Sequence, residues 1–185
     1  MNKPFLSVVT RHMQNRPLMF ARCLASLNAQ TRRDFEHIVI TDPDPNGSGW
    51  AWVNGTWDAH QDEIHGRYIL QLDDDDVLAH SGVIDKLYDE ALWDDAEIVV
   101  FRTDHAELGI LPDQGWGIGF VPCHMGGEDF IVRHDLWERN LSAWRNDTYE
   151  GDIGFMAAIF KDNPVTVWHD EVLVRCQRVS RGRGE

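Results

Sequence analysis

Residues Tyr68-Ile-Leu-Gln-Leu-Asp-Asp-Asp-Asp76 decide how the chain is read, because an apolar run ends there in four consecutive carboxylates. Tyr68, Ile69, Leu70 and Leu72 have the length and composition of a strand buried on both faces, since so short a run is more often strand than helix. Four adjacent acids cannot all ionise cheaply, because each carboxylate raises its neighbour's pKa. A chain keeps such a cluster where a multivalent cation neutralises it or where water solvates it. Open α/β sheets bind ligands beyond the carboxyl ends of their strands, and this run falls at that place. A hard cation with oxygen ligands, Mg2+ or Mn2+, is the expected guest. The competing reading is a solvated acidic turn, the usual fate of an acid run.

Upstream, Phe5–Thr10 reads as a first buried strand, and the loop 11–16 brings two arginines and His12 to its carboxyl end. Pro17 suits the first turn of a helix reaching about Gln30, with Phe20, Leu24 and Leu27 as its apolar stripe. Phe35–Thr41 is a second buried strand, and the strand-helix-strand order implies a right-handed crossover in a parallel sheet. Asp42-Pro-Asp-Pro-Asn-Gly-Ser-Gly49 is a loop; it imitates the start of an EF-hand, but the twelfth position is Val53 where a bidentate Glu belongs. Trp50 to about Gln61 reads as a helix.

Downstream, Val83–Trp93 reads as a helix with Leu87 and Leu92 inward, and Glu97–Thr103 as a strand. Eight Gly or Pro residues between Gly109 and Gly127 mark a long irregular segment around Trp116. A short strand is expected over Phe130–Arg133 and a short helix over Asp135–Asn140. A helix over Asp152–Phe160 should turn Ile153, Met156, Ala157 and Phe160 to one side. Thr166–His169 and Val172–Arg175 read as two final strands. A single domain over residues 1–178 with a polar tail at 179–185 is the expected organisation.

At 185 residues the chain supports one domain with a real core, and its 43% hydrophobic and 26% charged content is that of a soluble globular protein. No apolar stretch approaches the ~20 residues a membrane span needs, and the start lacks a signal peptide's apolar core, so a cytoplasmic protein is expected. Seventeen basic against thirty-one acidic residues give a formal charge of −14, which repels nucleic acid and anionic membranes alike. Cys23, Cys123 and Cys176 are odd in number and widely spaced, which suggests buried thiols rather than a disulfide framework or a zinc site.

Strand ends at Thr10-Arg11, Asp42 and Asp73–Asp76, with Glu150-Gly151-Asp152 at a helix start and His169 at a strand end, gather the candidate ligands. With these in view the chain resembles the family 2 inverting glycosyltransferases. Ser7-Val-Val-Thr10 with Asn15-Arg-Pro17, Leu24–Thr31 with Phe35–Asp42, and Gly66–Asp76 are similar to that family's opening strand and loop, its first helix and second strand, and its Asp-x-Asp segment. The resemblance implies the glycosyltransferase A fold: a three-layer α/β/α sandwich on a mainly parallel, Rossmann-like sheet. It also implies a metal-dependent hexosyltransferase, moving a sugar from a nucleoside diphosphate sugar, with a uridine donor favoured, to a saccharide or other hydroxyl acceptor. By resemblance Asp42 holds the base, Thr10 and Arg11 line the same pocket, and Asp73 with Asp75 forms the Asp-x-Asp pair, Asp74 standing in if the register moves by one. Asp152 matches the catalytic base with Glu150 in reserve, and His169 matches a late metal ligand. The usual Arg-Asn before the third strand is Val53-Asn54 here, and the acceptor would fall to the loop around Trp116 or to a partner.

Physical chemistry supports that assignment independently. Cleaving a sugar-diphosphate bond builds negative charge on the leaving group, which a divalent cation stabilises, while a carboxylate on the far side can take the acceptor's proton. Asp152 could equally be a helix cap. Asp73-x-Asp75-x-Val77 also fits a haloacid dehalogenase phosphatase, but no lysine lies between Lys86 and Lys161 to complete that scheme. Sugar nucleotidyltransferases want a glycine-rich first loop, and the loop after Thr10 has no glycine. A non-catalytic module that binds nucleotide sugar, or carbohydrate and metal, is the remaining alternative.

Overall fold

A computed structural model describes residues 3–13, 15–41, 50–93, 95–144 and 151–177. The expected tail at 179–185 lies outside them, as do Asp42 and Glu150. In chain order the elements are β1 (Leu6–Arg11), α1 (Pro17–Asn28), β2 (Phe35–Ile40), α2 (Trp50–His60), β3 (Tyr68–Gln71), β4 (Asp76–Leu78) and α3 (Val83–Trp93). There follow β5 (Ile98–His105), β6 (Gly109–Leu111), β7 (Phe130–Arg133), α4 (His134–Asn140), α5 (Gly151–Phe160) and β8 (Thr166–Cys176).

The sheet runs β2-β1-β3-β7-β5-β8-β4, with β6 added beside β5. β1, β2, β3, β5 and β8 share one direction, while β7, β4 and β6 run against them, so the sheet is mixed with a parallel majority. Successive strand residues face opposite ways, which here means two cores. Val8, Tyr68, Leu70, Val99, Phe101 and Ile131 pack under α1 and α3. Val9, Ile69, Ile98, Val100, Phe130 and Val132 pack under α2, α4 and α5. The three-layer sandwich follows from strands apolar on both faces. Tyr68, buried among them, keeps its hydroxyl satisfied by donating to the Ala96 carbonyl at 2.7 Å.

Some local expectations shift. On α3 the buried face is Val83, Ile84, Leu87 and Ala91, and Leu92 is exposed instead of inward. On α5 the buried residues are Gly151, Phe155, Met156 and Ile159, while Ala157 faces outward. The two expected final strands are one, β8, whose pairing with β5 slips between Phe101 and Thr103. Cys23 and Cys176 are buried free thiols, and Cys123 is exposed. Among the described residues no helix is long and apolar enough to cross a membrane.

Candidate active site

Three parallel strands, β1, β2 and β3, end on the same side of the sheet, and β1 meets β3 in a constant register in which Leu6 faces Tyr68 and Val9 faces Gln71. The same offset carries past the strand ends. It sets Arg11 opposite Asp73 and His12 opposite Asp74, and both pairs form. Arg11 Nε donates to Asp73 Oδ1 at 3.0 Å and Nη2 to Oδ2 at 2.7 Å, a two-pronged contact with strong geometry. Asp74 is buried and accepts from the Met13 N–H at 2.6 Å and Arg16 Nη1 at 3.1 Å, with His12 Nδ1 also 3.1 Å away. The Arg16 guanidinium, buried itself, lies 3.1 Å from Asp75 as well.

The fourth acid is handled differently. Asp76 folds back in a turn, its N–H on the Asp73 carbonyl at 3.0 Å, and opens β4 opposite Cys176. Burial, and then the charges of Glu128, Asp75 and Asp73, push its pKa well above the usual carboxylate range. Arg11, Arg16 and the Met13 N–H therefore supply the contacts to Asp73, Asp74 and Asp75. Gln71, the last residue of β3, reaches Asp73 Oδ2 at 3.4 Å from the other side.

Asp152 stands in the first turn of α5, where its Oδ1 accepts from the Ile153 N–H at 2.8 Å. Burial raises its pKa, the nearby Arg11 charge pulls it down, and Asp73 pushes it up again, so these three groups share one field. The structure thus pairs Arg11 with Asp73 and sets Asp75 and Asp152 within reach of the Arg11 charge. It turns Thr10 elsewhere: the side chain is fully buried with its hydroxyl 2.9 Å from His37 Nε2.

His169 is not brought to the aspartates. Its ring lies 2.9 Å from Glu90 and 3.3 Å from Glu171, and it pairs with Phe101 on β5, whereas Cys176, the partner of Asp76, pairs with His105. Four residues of strand separate those two places, roughly 13 Å. Among the described residues no three His, Cys, Asp or Glu side chains are grouped so as to hold a metal.

Two site residues escaped the sequence reading. Glu128 and Asp129 form the short turn before β7, facing the acid run. Asp129 is fully buried and takes the Gly126 N–H at 2.7 Å. The Glu128 carboxylate curls back over Gly126, where any Cβ would meet both of its oxygens at 2.6 Å. Burial and the neighbouring Asp129 push Glu128 up to about 8, with Asp73 and Asp152 adding to the rise. Burial pushes Asp129 up to about 7, against hydrogen bonds from Thr103 and the Gly126 N–H. The available signal was an acid pair directly before an expected strand, hidden by the glycines that marked the segment as irregular. Farther along the same face, Trp116 is held between the Arg102 guanidinium, 3.5 Å above its ring, and the edge of Trp168 at 5.2 Å.

No family model and no curated protein matches the sequence. Solved structures do match the fold. S. aureus TarS 1-349 in complex with UDP-GlcNAc superposes with a TM-score of 0.71 at 12% identity, over 97% of this chain and 60% of that one. Mannosyltransferase PcManGT from Pyrobaculum calidifontis, in complex with GDP-Man and Mn2+, gives 0.68 at 13% identity, over 98% and 59%. A glycosyltransferase involved in the glycosylation of the major capsid of PBCV-1 gives 0.60 at 13% identity, over 96% of each chain. The chain therefore has a nucleotide-sugar transferase fold, and it spans about three fifths of the first two solved chains.

Proposed function

We propose that this chain is a metal-dependent, inverting glycosyltransferase of the glycosyltransferase A type. It moves a sugar from a nucleoside diphosphate sugar, with a uridine donor favoured, to a hydroxyl acceptor in one displacement. The observation that carries the reading is the Arg11–Asp73 fork at the carboxyl ends of β1 and β3, with Asp152 at the start of α5 within reach of its charge. Two of the proteins that share the fold are described with UDP-GlcNAc and with GDP-Man and Mn2+, which supports a donor of that class.

The donor chemistry of the site suits a hard cation. Asp73 and Asp75 offer carboxylate oxygens, and Mg2+ or Mn2+ is commonly held by one or two carboxylates together with substrate phosphates, without an all-protein cage. When bound, such a cation would stabilise the charge that develops on the leaving diphosphate. The protein's own parts do the rest. The Arg11 charge, held on Asp73, favours the ionised form of Asp152 that a proton acceptor must have. The first turn of α5 fixes Asp152 in place.

Calorimetric titration of a panel of nucleoside diphosphates and their sugars, each with Mn2+ and with chelator, tests the donor site. Metal-dependent binding of one nucleotide is the expected result, and a folded protein that binds none would move the reading to a non-catalytic module. Asp152→Asn should keep donor affinity and lose transfer. A variant that still turns over would place the base at Glu150 or elsewhere.

A further inference from the structure

Of the four adjacent acids, Asp74, Asp75 and Asp76 are each at least 95% buried, while the Asp73 side chain keeps 26% of its surface exposed. An ion or phosphate entering from solvent meets Asp73 first. Both of its oxygens are already taken by the Arg11 fork, at 3.0 and 2.7 Å. A guanidinium and a divalent cation repel, and the fork occupies the carboxylate oxygens that the cation needs. Arg11 has somewhere else to go, since Asp152 and Asp75 both attract it where it stands. The resemblance has Arg11 lining the nucleotide pocket, and here its side-chain partner is the Asp73 carboxylate.

We propose that Arg11 is a displaceable counter-ion. It holds Asp73 while the donor site is empty, yields that carboxylate to the cation that enters with the diphosphate, and then stands over Asp152. The inference rests on the metal-dependent donor site proposed above. It makes Arg11 a positioning residue with two states, and it makes metal affinity depend on breaking an ion pair first. Loading the cation alone is therefore weak in the intact protein, and the diphosphate's own oxygens are needed to complete the exchange.

Mn2+ binding to nucleotide-free protein, followed by electron paramagnetic resonance, reads the exchange without any turnover. Arg11→Gln removes the competing charge at similar size. It should bind Mn2+ about tenfold more tightly than the unaltered protein, the scale set by one unit charge close to the ion. Arg11→Lys, a single ammonium without the fork, should fall between the two. In the unaltered protein, the Arg11 Nε–H resonance should shift and lose exchange protection as Mg2+ and UDP are added, a readout that does not depend on any variant folding well. Equal Mn2+ affinities, or an Arg11 resonance unmoved at saturation, would overturn the counter-ion role and leave metal binding intact. Absence of Mn2+ binding in every protein, with and without UDP, would overturn the donor-site reading and this inference together.

Discussion

Glu128 gives the sharpest test of the electrostatics, because its carboxyl is held protonated by its surroundings and not by a partner of opposite charge. Its folded-state pKa is about 8, through burial and then the charge of Asp129. An unfolded glutamate titrates near 4.3. The folded protein therefore binds this proton more tightly than the unfolded chain does. Stability from this group is greatest below the unfolded value and falls as pH rises through the window from about 4 to about 8. At 1.36 kcal/mol per pH unit the full loss would approach about 5 kcal/mol. The side chain is half-buried and can turn toward water, so a loss of roughly 2 kcal/mol by pH 8.5 is the realistic size. Glu128→Gln keeps the shape and cannot ionise. Its urea-unfolding free energy should match the unaltered protein's at pH 4.5 and exceed it by about 2 kcal/mol at pH 8.5. A difference independent of pH, or one of opposite sign, would refute the assignment of a raised pKa to this carboxyl.

Gly66 sits where β3 begins, and a Cβ there would lie 2.6 Å from Ser7 Oγ, 2.7 Å from the Leu6 carbonyl carbon and closer still to the Ser7 nitrogen. Gly66→Ala must therefore separate β1 from β3, and should cost roughly 3 kcal/mol in urea unfolding; a loss under 1 kcal/mol would mean the strands tolerate the shift. His169→Ala should leave Mn2+-dependent nucleotide affinity within about twofold, because its ring belongs to Glu90 and Glu171, and a tenfold loss would put it back among the ligands.

Most elements were legible because their sequence pattern and their tertiary setting agree. Val83–Trp93 and Phe130–Arg133 match their expected bounds. β4 was not legible: it begins with Asp76 and spans three residues, and it exists because Cys176, Arg175 and Val174 on β8 pair with it. β6 is similar, a three-residue strand that β5 recruits from a glycine-rich stretch. The face of α5 was misjudged because seven of its ten residues are Ile, Phe, Met or Ala. A helix apolar on nearly every side leaves its phase to packing, and the Trp144 ring, 5.2 Å from Phe155, supplies that choice.

For the site, local pattern located the acids but not the arginines that pair with them. Asp73 and Arg11 are 62 residues apart, and nothing local in either stretch names the other. What joins them is the register of β1 on β3, which sequence periodicity leaves open, since it fixes which face a residue takes and not which residue it meets. Once Leu6 faces Tyr68, Arg11 must face Asp73 and His12 must face Asp74. The acid run is thus a counterpart to the loop after β1 before it is anything else. A cation that enters has to compete with the protein's own arginines, and Arg11 is the more exposed of the two that grip the run. Whatever binds here is selected by its power to displace a guanidinium, a demand that a diphosphate carrying its own divalent ion meets and a neutral ligand does not.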